Sequence, residues 1–227
     1  MHINQTKYFE IVKETEAAGA TLVAVSKIKP VEAIRELYDV GQRDFGENYV
    51  QELVEKQAAL PKDIRWHFIG HLQTNKVKYI APFVHLIHGI DSYKLLREVG
   101  KQAKKAARVI DVLLQVHIAQ EETKFGFDET ELHQLLNTDL KHDLPHLEGV
   151  RIAGLMGMAS YSDDENLIRH ELRTLKGIYD RYAQSRSASL EFQILSMGMS
   201  GDYKIALAEG STMIRIGSLL FGKRQHG

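Results

Sequence analysis

Short apolar runs recur eight times, at Thr21–Ser26, Asp44–Gly46, Trp66–Gly70, His85–Ile90, Asp111–Ile118, Val150–Met156, Glu191–Ser196 and Met213–Gly217. Several are rich in Val and Ile and apolar throughout, the pattern of strands buried on both faces. The stretches between them have helical spacing. Ile168, Leu172, Leu175, Tyr179 and Tyr182 share one helical face, and Ser162 with Glu165 has the spacing of a capping box just ahead of it. Pro30 stands where a first helical residue belongs, ahead of Ile34, Leu37 and Tyr38. Ser200 is placed to cap a helix through Ala208, with Gly210 as its stop. A further helix is expected at about residues 4–18.

Strands that alternate with helices pair in parallel through right-handed crossovers. Eight such units in 227 residues predict an α/β fold of the (β/α)8 barrel type, a TIM-type barrel in one domain over residues 1–227. An open doubly wound sheet is the alternative, but no glycine-rich dinucleotide fingerprint follows the first strand.

Composition removes several functions. Without cysteine there is no disulfide, thiolate metal site, iron–sulfur cluster or cysteine nucleophile. The 29 basic and 30 acidic side chains leave a formal charge of −1, which offers no general attraction to nucleic acid or an anionic membrane. No signal-peptide pattern opens the chain and no apolar run is long enough to span a bilayer, so a cytoplasmic protein is expected.

Function in such a barrel gathers where strands end. The first strand runs into Ser26-Lys27-Ile28-Lys29-Pro30. A lysine there enters the barrel mouth, where desolvation favours the neutral amine that a Schiff base requires; a solvated loop lysine is the plainer alternative, and Lys29 is the decoy. Asn48, after the second strand, can cap the next helix while facing the mouth. The 11 histidines include the close pairs His67/His71 and His85/His88, but no His-Glu-x-x-His pattern or neighbouring acidic cluster completes a metal site, and none is expected. The most informative loops are the last two, Ser196-Met197-Gly198-Met199-Ser200-Gly201-Asp202 and Arg215-Ile216-Gly217-Ser218. Barrels often build phosphate sites from this pair, because small residues expose amide N–H groups and hydroxyls donate hydrogen bonds. A lysine opposite a phosphate cradle suggests pyridoxal phosphate, although a Schiff-base aldolase for a sugar phosphate uses the same parts.

These segments together resemble the pyridoxal phosphate homeostasis protein family. The resemblance rests on Val25-Ser26-Lys27 with Lys29-Pro30, on Phe45 through Glu52, and on Trp66 through Gly70 with Leu72-Gln73 and Asn75-Lys76. It continues in Gly154-Leu155-Met156, in Ser196 through Ser200 with Asp202, and in Gly210 through Gly217, so it covers nearly the whole chain. It implies a barrel like the N-terminal domain of alanine racemase, with pyridoxal 5′-phosphate bound as an aldimine to Lys27. It also implies that Ser200, Gly217 and Ser218 meet the phosphate, that Arg215 lies near the pyridine nitrogen, and that Asn48, His67 and Met197 surround the ring.

The function implied is non-catalytic: intracellular vitamin B6 homeostasis, with pyridoxal-phosphate-dependent apo-enzymes as expected partners. A monomer is expected because the sequence offers no extra domain or interface segment. An arginine at the ring nitrogen keeps it unprotonated and weakens the ring as an electron sink. The enzymatic alternative is an amino-acid racemase, which needs an acid–base group on each face. In alanine racemases the second group comes from a further domain, and no such domain is expected after Gly222; Tyr49, Tyr161 and Tyr203 are the substitutes within the barrel.

Overall fold

The computed structural model describes residues 3–121, 125–139, 147–184, 186–187 and 190–222. Eight parallel strands form the barrel: β1 Thr21–Val25, β2 Asp44–Glu47, β3 Arg65–Phe68, β4 Leu86–Ile90, β5 Ile110–Gln115, β6 Val150–Met156, β7 Leu190–Ser196 and β8 Met213–Ile216. Each pairs with its neighbour in sequence, and β8 returns to β1, with Val23 opposite Arg215. Arg186–Ser187 adds a short antiparallel ribbon to β7.

Helix α1 is Gln5–Ala17, ahead of the first strand, followed by α2 Val31–Asp39, α3 Val50–Ala59, α4 Val77–Ile80 and α5 Tyr93–Lys105. The last four are α6 Glu129–Gln134, α7 Glu165–Tyr182, α8 Tyr203–Ala208 and α9 Ser218–Phe221. None is long and apolar enough to cross a membrane.

Alternation along each strand divides the side chains between two layers. Phe45, Trp66, Phe68, Ile87, Val112 and Leu114 join the main core, packed with Ile34 and Leu37 of α2, Leu53 of α3, Leu96 of α5 and Leu172 and Leu175 of α7. Each such side chain, fully buried, contributes about 1.5–3 kcal/mol. Val23, Leu86, Leu113, Ala153, Met156 and Met213 form a smaller second cluster, the inner layer. Closure between β6 and β7 depends on Gly154, at φ +150°, where the register shifts and a Cβ would be driven into the Ile194 carbonyl oxygen.

Helix starts differ from the sequence expectations. Asp164, not Ser162, caps α7, accepting from Asn166 N and Leu167 N, while Ser162 Oγ accepts from Asp164 N. Pro30 lies one residue before α2. Neither Asn48 nor Ser200 caps a helix: α3 follows Tyr49, α8 follows Asp202, and neither start has a side-chain cap. Both predicted caps are left for other work.

Candidate functional site

Register fixes the relative heights of the strand exits. Val25 pairs with Gly46 and Gly46 with His67, so Lys27 and Asn48 each stand two residues beyond the level at which His67 sits within its strand. Lys27 is half-buried in a turn that the protein holds tightly. Ser26 Oγ donates to Glu47 Oε1 at 2.6 Å, and Ile28 N donates to Glu52 Oε1 at 2.6 Å. Lys56 Nζ donates to the Ser26 carbonyl at 2.8 Å, to Glu47 at 2.7 Å and to Glu52 at 2.6 Å. Ile28 is bent into the left-handed region at φ 61°, which a β-branched residue adopts only under constraint. Lys29, the decoy, sends Nζ to the Phe221 carbonyl at 2.9 Å and so fastens the end of α9.

Glu47 is fully buried. Burial pushes its carboxyl up to about 7, against the opposing pull of Lys56 and Ser26. Its Oε2 has no hydrogen-bond partner, and neither has the buried Oδ1 of Asn48 beside it. Unpaired buried polar atoms are costly, and two at adjacent residues suit a site that completes its bonding with a ligand.

The last two exits converge. Gly217 N donates to Ser200 Oγ at 3.3 Å, which joins the two loops predicted to form the cradle. Asp202 Oδ1 accepts from Met199 N at 2.5 Å, and the Ser211 hydroxyl reaches the Met197 carbonyl at 2.7 Å, bracing the loop at both ends. Ser218 is exposed at the first position of α9. Met197 is elsewhere: its buried side chain belongs to the main core that includes Tyr203 and Ala206 of α8. Its neighbour Ser196 turns the other way and bonds Arg215 inside the barrel.

That interior is polar along one track. Arg215 is buried, with Nη1 donating to Ser196 Oγ at 2.6 Å and Nη2 to the Gly157 carbonyl at 3.1 Å. Burial lowers its guanidinium to about 10, still protonated at neutral pH. Ser196 Oγ lies 3.1 Å from His88 Nδ1, His88 Nε2 lies 2.9 Å from His67 Nδ1, and His67 Nε2 lies 3.0 Å from Asp44 Oδ1. With both ring nitrogens engaged, His67 is a wall and core residue and not a free hydrogen-bonding group at the mouth. Burial, helped by the charge of Arg215, holds His88 well below the usual histidine range.

At the far end, Arg65 donates to both oxygens of Asp44, at 2.7 and 2.5 Å. Asp44, His67 and His85 bring three metal-type donor atoms within 4.8 Å of one another, a grouping that sequence spacing did not reveal because Asp44 comes from another strand. The Arg65 guanidinium already saturates that carboxylate and repels a cation.

Of the residues predicted from sequence, the structure thus gathers Lys27, Asn48, Ser200, Gly217 and Ser218 at the strand exits, with Arg215 just inside. Sequence reading missed Glu47, Glu52 and Lys56 behind the lysine turn, and Asp44, His88 and Ser196 inside the barrel. The available signal was polar residues in otherwise apolar strands, which must find partners when buried. The residues present fit a flat ligand that carries an anion and an amine-reactive carbonyl: an amine at one exit, a small-residue loop pair at another, and a cation bonded to neutral groups between them.

The alanine racemase N-terminal domain family matches residues 7–225. A pyridoxal phosphate homeostasis protein of Aquifex aeolicus is 41% identical over 222 residues, covering 95% of this chain and 94% of its own. PipY of Synechococcus elongatus, solved without pyridoxal phosphate, superposes with a TM-score of 0.84 at 35% identity, over 96% of this chain and 99% of PipY. The PipY structure with pyridoxal phosphate bound gives 0.78 at the same 35%, over 93% and 100%. An alanine racemase of Clostridium difficile, 14% identical with a TM-score of 0.74 over 99% of this chain and 61% of its own, shares the fold alone. By fold and by sequence, this chain belongs to the pyridoxal phosphate homeostasis protein family.

Proposed function

We propose that this chain binds pyridoxal 5′-phosphate and serves as a non-catalytic carrier in cytoplasmic vitamin B6 homeostasis, as a monomer that hands the cofactor to apo-enzymes. The observation that carries this reading is the arrangement of the mouth: the Lys27 turn clamped by Glu47, Glu52 and Lys56, facing loops joined by the Ser200–Gly217 contact. The relative with pyridoxal phosphate bound supports the choice of ligand. When bound, the cofactor supplies an aldehyde that condenses reversibly with a primary amine. Lys27 is the amine in this reading, and the Ser200 hydroxyl with the amides at Gly217 and Ser218 takes the phosphate. Asn48 gains a partner for Oδ1, and Arg215 directs a donor-only cation at the ring.

Among the described residues, the three tyrosines considered for a racemase do not supply a placed second acid–base group. Tyr203 is buried and its hydroxyl donates to Glu14 Oε2 at 2.7 Å, and Tyr161 is 100% exposed. Tyr49 is also exposed. A carrier needs no such group.

The test is an absorption spectrum of the purified protein with pyridoxal phosphate, then borohydride reduction and peptide mapping. The pyridoxyl group should map to Lys27, and Lys27→Ala should abolish fixation; label on Lys29 alone overturns the assignment. Loaded protein given L- or D-alanine in deuterated water should exchange the Cα proton little faster than free cofactor. Turnover of about one per second or more, an ordinary enzymatic rate, sinks the carrier reading.

A further inference from the structure

With both histidines neutral, the polar track inside the barrel has one consistent set of proton positions. Arginine only donates, so Ser196 Oγ accepts from Arg215 Nη1. A hydroxyl oxygen can accept twice, so the direction is set from the other end. Asp44 only accepts, a neutral His67 therefore keeps its proton on Nε2 and accepts at Nδ1, and the Ser196 proton goes to His88 Nδ1. A neutral His88 that accepts at Nδ1 carries its own proton on Nε2 and donates it to His67 Nδ1. His67 in turn carries its proton on Nε2 and donates to Asp44 Oδ1. Asp44 is acceptor-only and is closed off by Arg65. Every donor points the same way, from the mouth toward the opposite rim, and the four inner members are all buried.

We propose that Ser196, His88 and His67, with Asp44 as terminal acceptor, are positioning residues for Arg215: a one-directional relay that fixes both histidines as Nε2–H tautomers and holds the guanidinium aimed at the ligand. The relay itself stands on the hydrogen bonds above; its effect on ligand rests on the pyridoxal phosphate reading. Ser196 is the pivot. Its one hydroxyl must both accept from Arg215 and donate to His88, so no apolar residue of similar size reproduces it. Burial is why the relay is rigid: reversing it requires a proton inside the barrel or a broken bond with no water to compensate.

Imidazole ¹⁵N–¹H correlation spectra of the ligand-free protein test the relay directly. His67 and His88 should each show a protonated Nε2 and an unprotonated, hydrogen-bonded Nδ1. An Nδ1–H tautomer or a doubly protonated ring at either residue at neutral pH overturns the proposal. Ser196→Ala should shift His88 Nδ1 toward a free acceptor and weaken pyridoxal phosphate binding by about three- to thirtyfold, as expected for one lost hydrogen bond. Ser196→Thr, which keeps the hydroxyl, should restore both readouts. Wild-type affinity in Ser196→Ala, or no recovery in a folded Ser196→Thr, also overturns it. Failure of the wild-type protein to bind pyridoxal phosphate would sink the ligand reading and leave the tautomer result standing alone.

Discussion

Asp44 and Glu47 are the first and last residues of one four-residue strand, yet their carboxyls are driven in opposite directions. Burial pushes Asp44 up as well, but hydrogen bonds from His67 and Arg65 outweigh it and hold the group at about 2. Glu47 has Lys56 and Ser26 on one oxygen and nothing on the other, and burial wins. The closed end of the barrel pairs these carboxyls, with Arg65 on Asp44 and Arg151 on Asp111. The mouth leaves polar atoms unpaired and sets Ile28, Tyr49, Phe125, Tyr161 and Met199 in the open on strand-exit loops. One end is built to hold shape and the other to meet something.

The comparison is tested most severely at the cradle. Ser200→Ala should weaken pyridoxal phosphate roughly ten- to a hundredfold, since a hydrogen bond to a charged group is worth about 1.5–3 kcal/mol. Pyridoxal, which lacks the anion, should lose little. Equal loss for both in a binding titration would remove Ser200 from the phosphate.

Next in size is acid–base behaviour of the two carboxyls, read from urea unfolding against pH. Asp44 falls from 3.8 to about 2 on folding, so its contribution is complete above 3.8 and lost as pH drops through about 2. That contribution is about 2 kcal/mol, and Asp44→Asn should remove the acid limb. Glu47 rises from 4.5 to about 7, so its contribution is complete below 4.5 and lost as pH climbs through about 7. Glu47→Gln should flatten that neutral limb, and two limbs of the same sign would break the contrast between the ends.

Smaller effects follow at the surfaces. Ile28→Gly should stabilise the fold by about 0.5–1 kcal/mol, because relief of about 1–2 kcal/mol of left-handed strain exceeds the entropy cost of glycine. A loss of stability would mean the turn is not strained. Arg151→Ala, at the closed end but with its side chain 46% exposed, should change stability by less than about 1 kcal/mol in the same unfolding experiment.

The barrel was legible because its strands are buried on both sides, which writes eight apolar runs into the sequence. Helix starts were less so: Ser162 and Asp164 are both good caps two residues apart, and backbone geometry alone selected Asp164. Lys27 could be separated from Lys29 only by resemblance; in the structure Lys29 bonds the Phe221 carbonyl and fastens the end of α9. Met197 packs in the main core while its neighbour Ser196 bonds Arg215 inside the barrel, a division that strand alternation produces and that sequence alone did not reveal. The interior relay left almost no trace, since its members come from five strands and meet only when the sheet closes.

Gly154 carries a consequence for how this sequence can vary over time. Any side chain there strikes the Ile194 carbonyl at the seam where the sheet meets itself, and no flexible neighbour can yield. Single-base changes of a glycine codon lead to alanine, serine, valine and larger or charged residues, every one of them bearing a Cβ. Lineages can therefore drift freely around this position but not through it, and a saturation library selected for folded protein should return glycine at 154 almost alone.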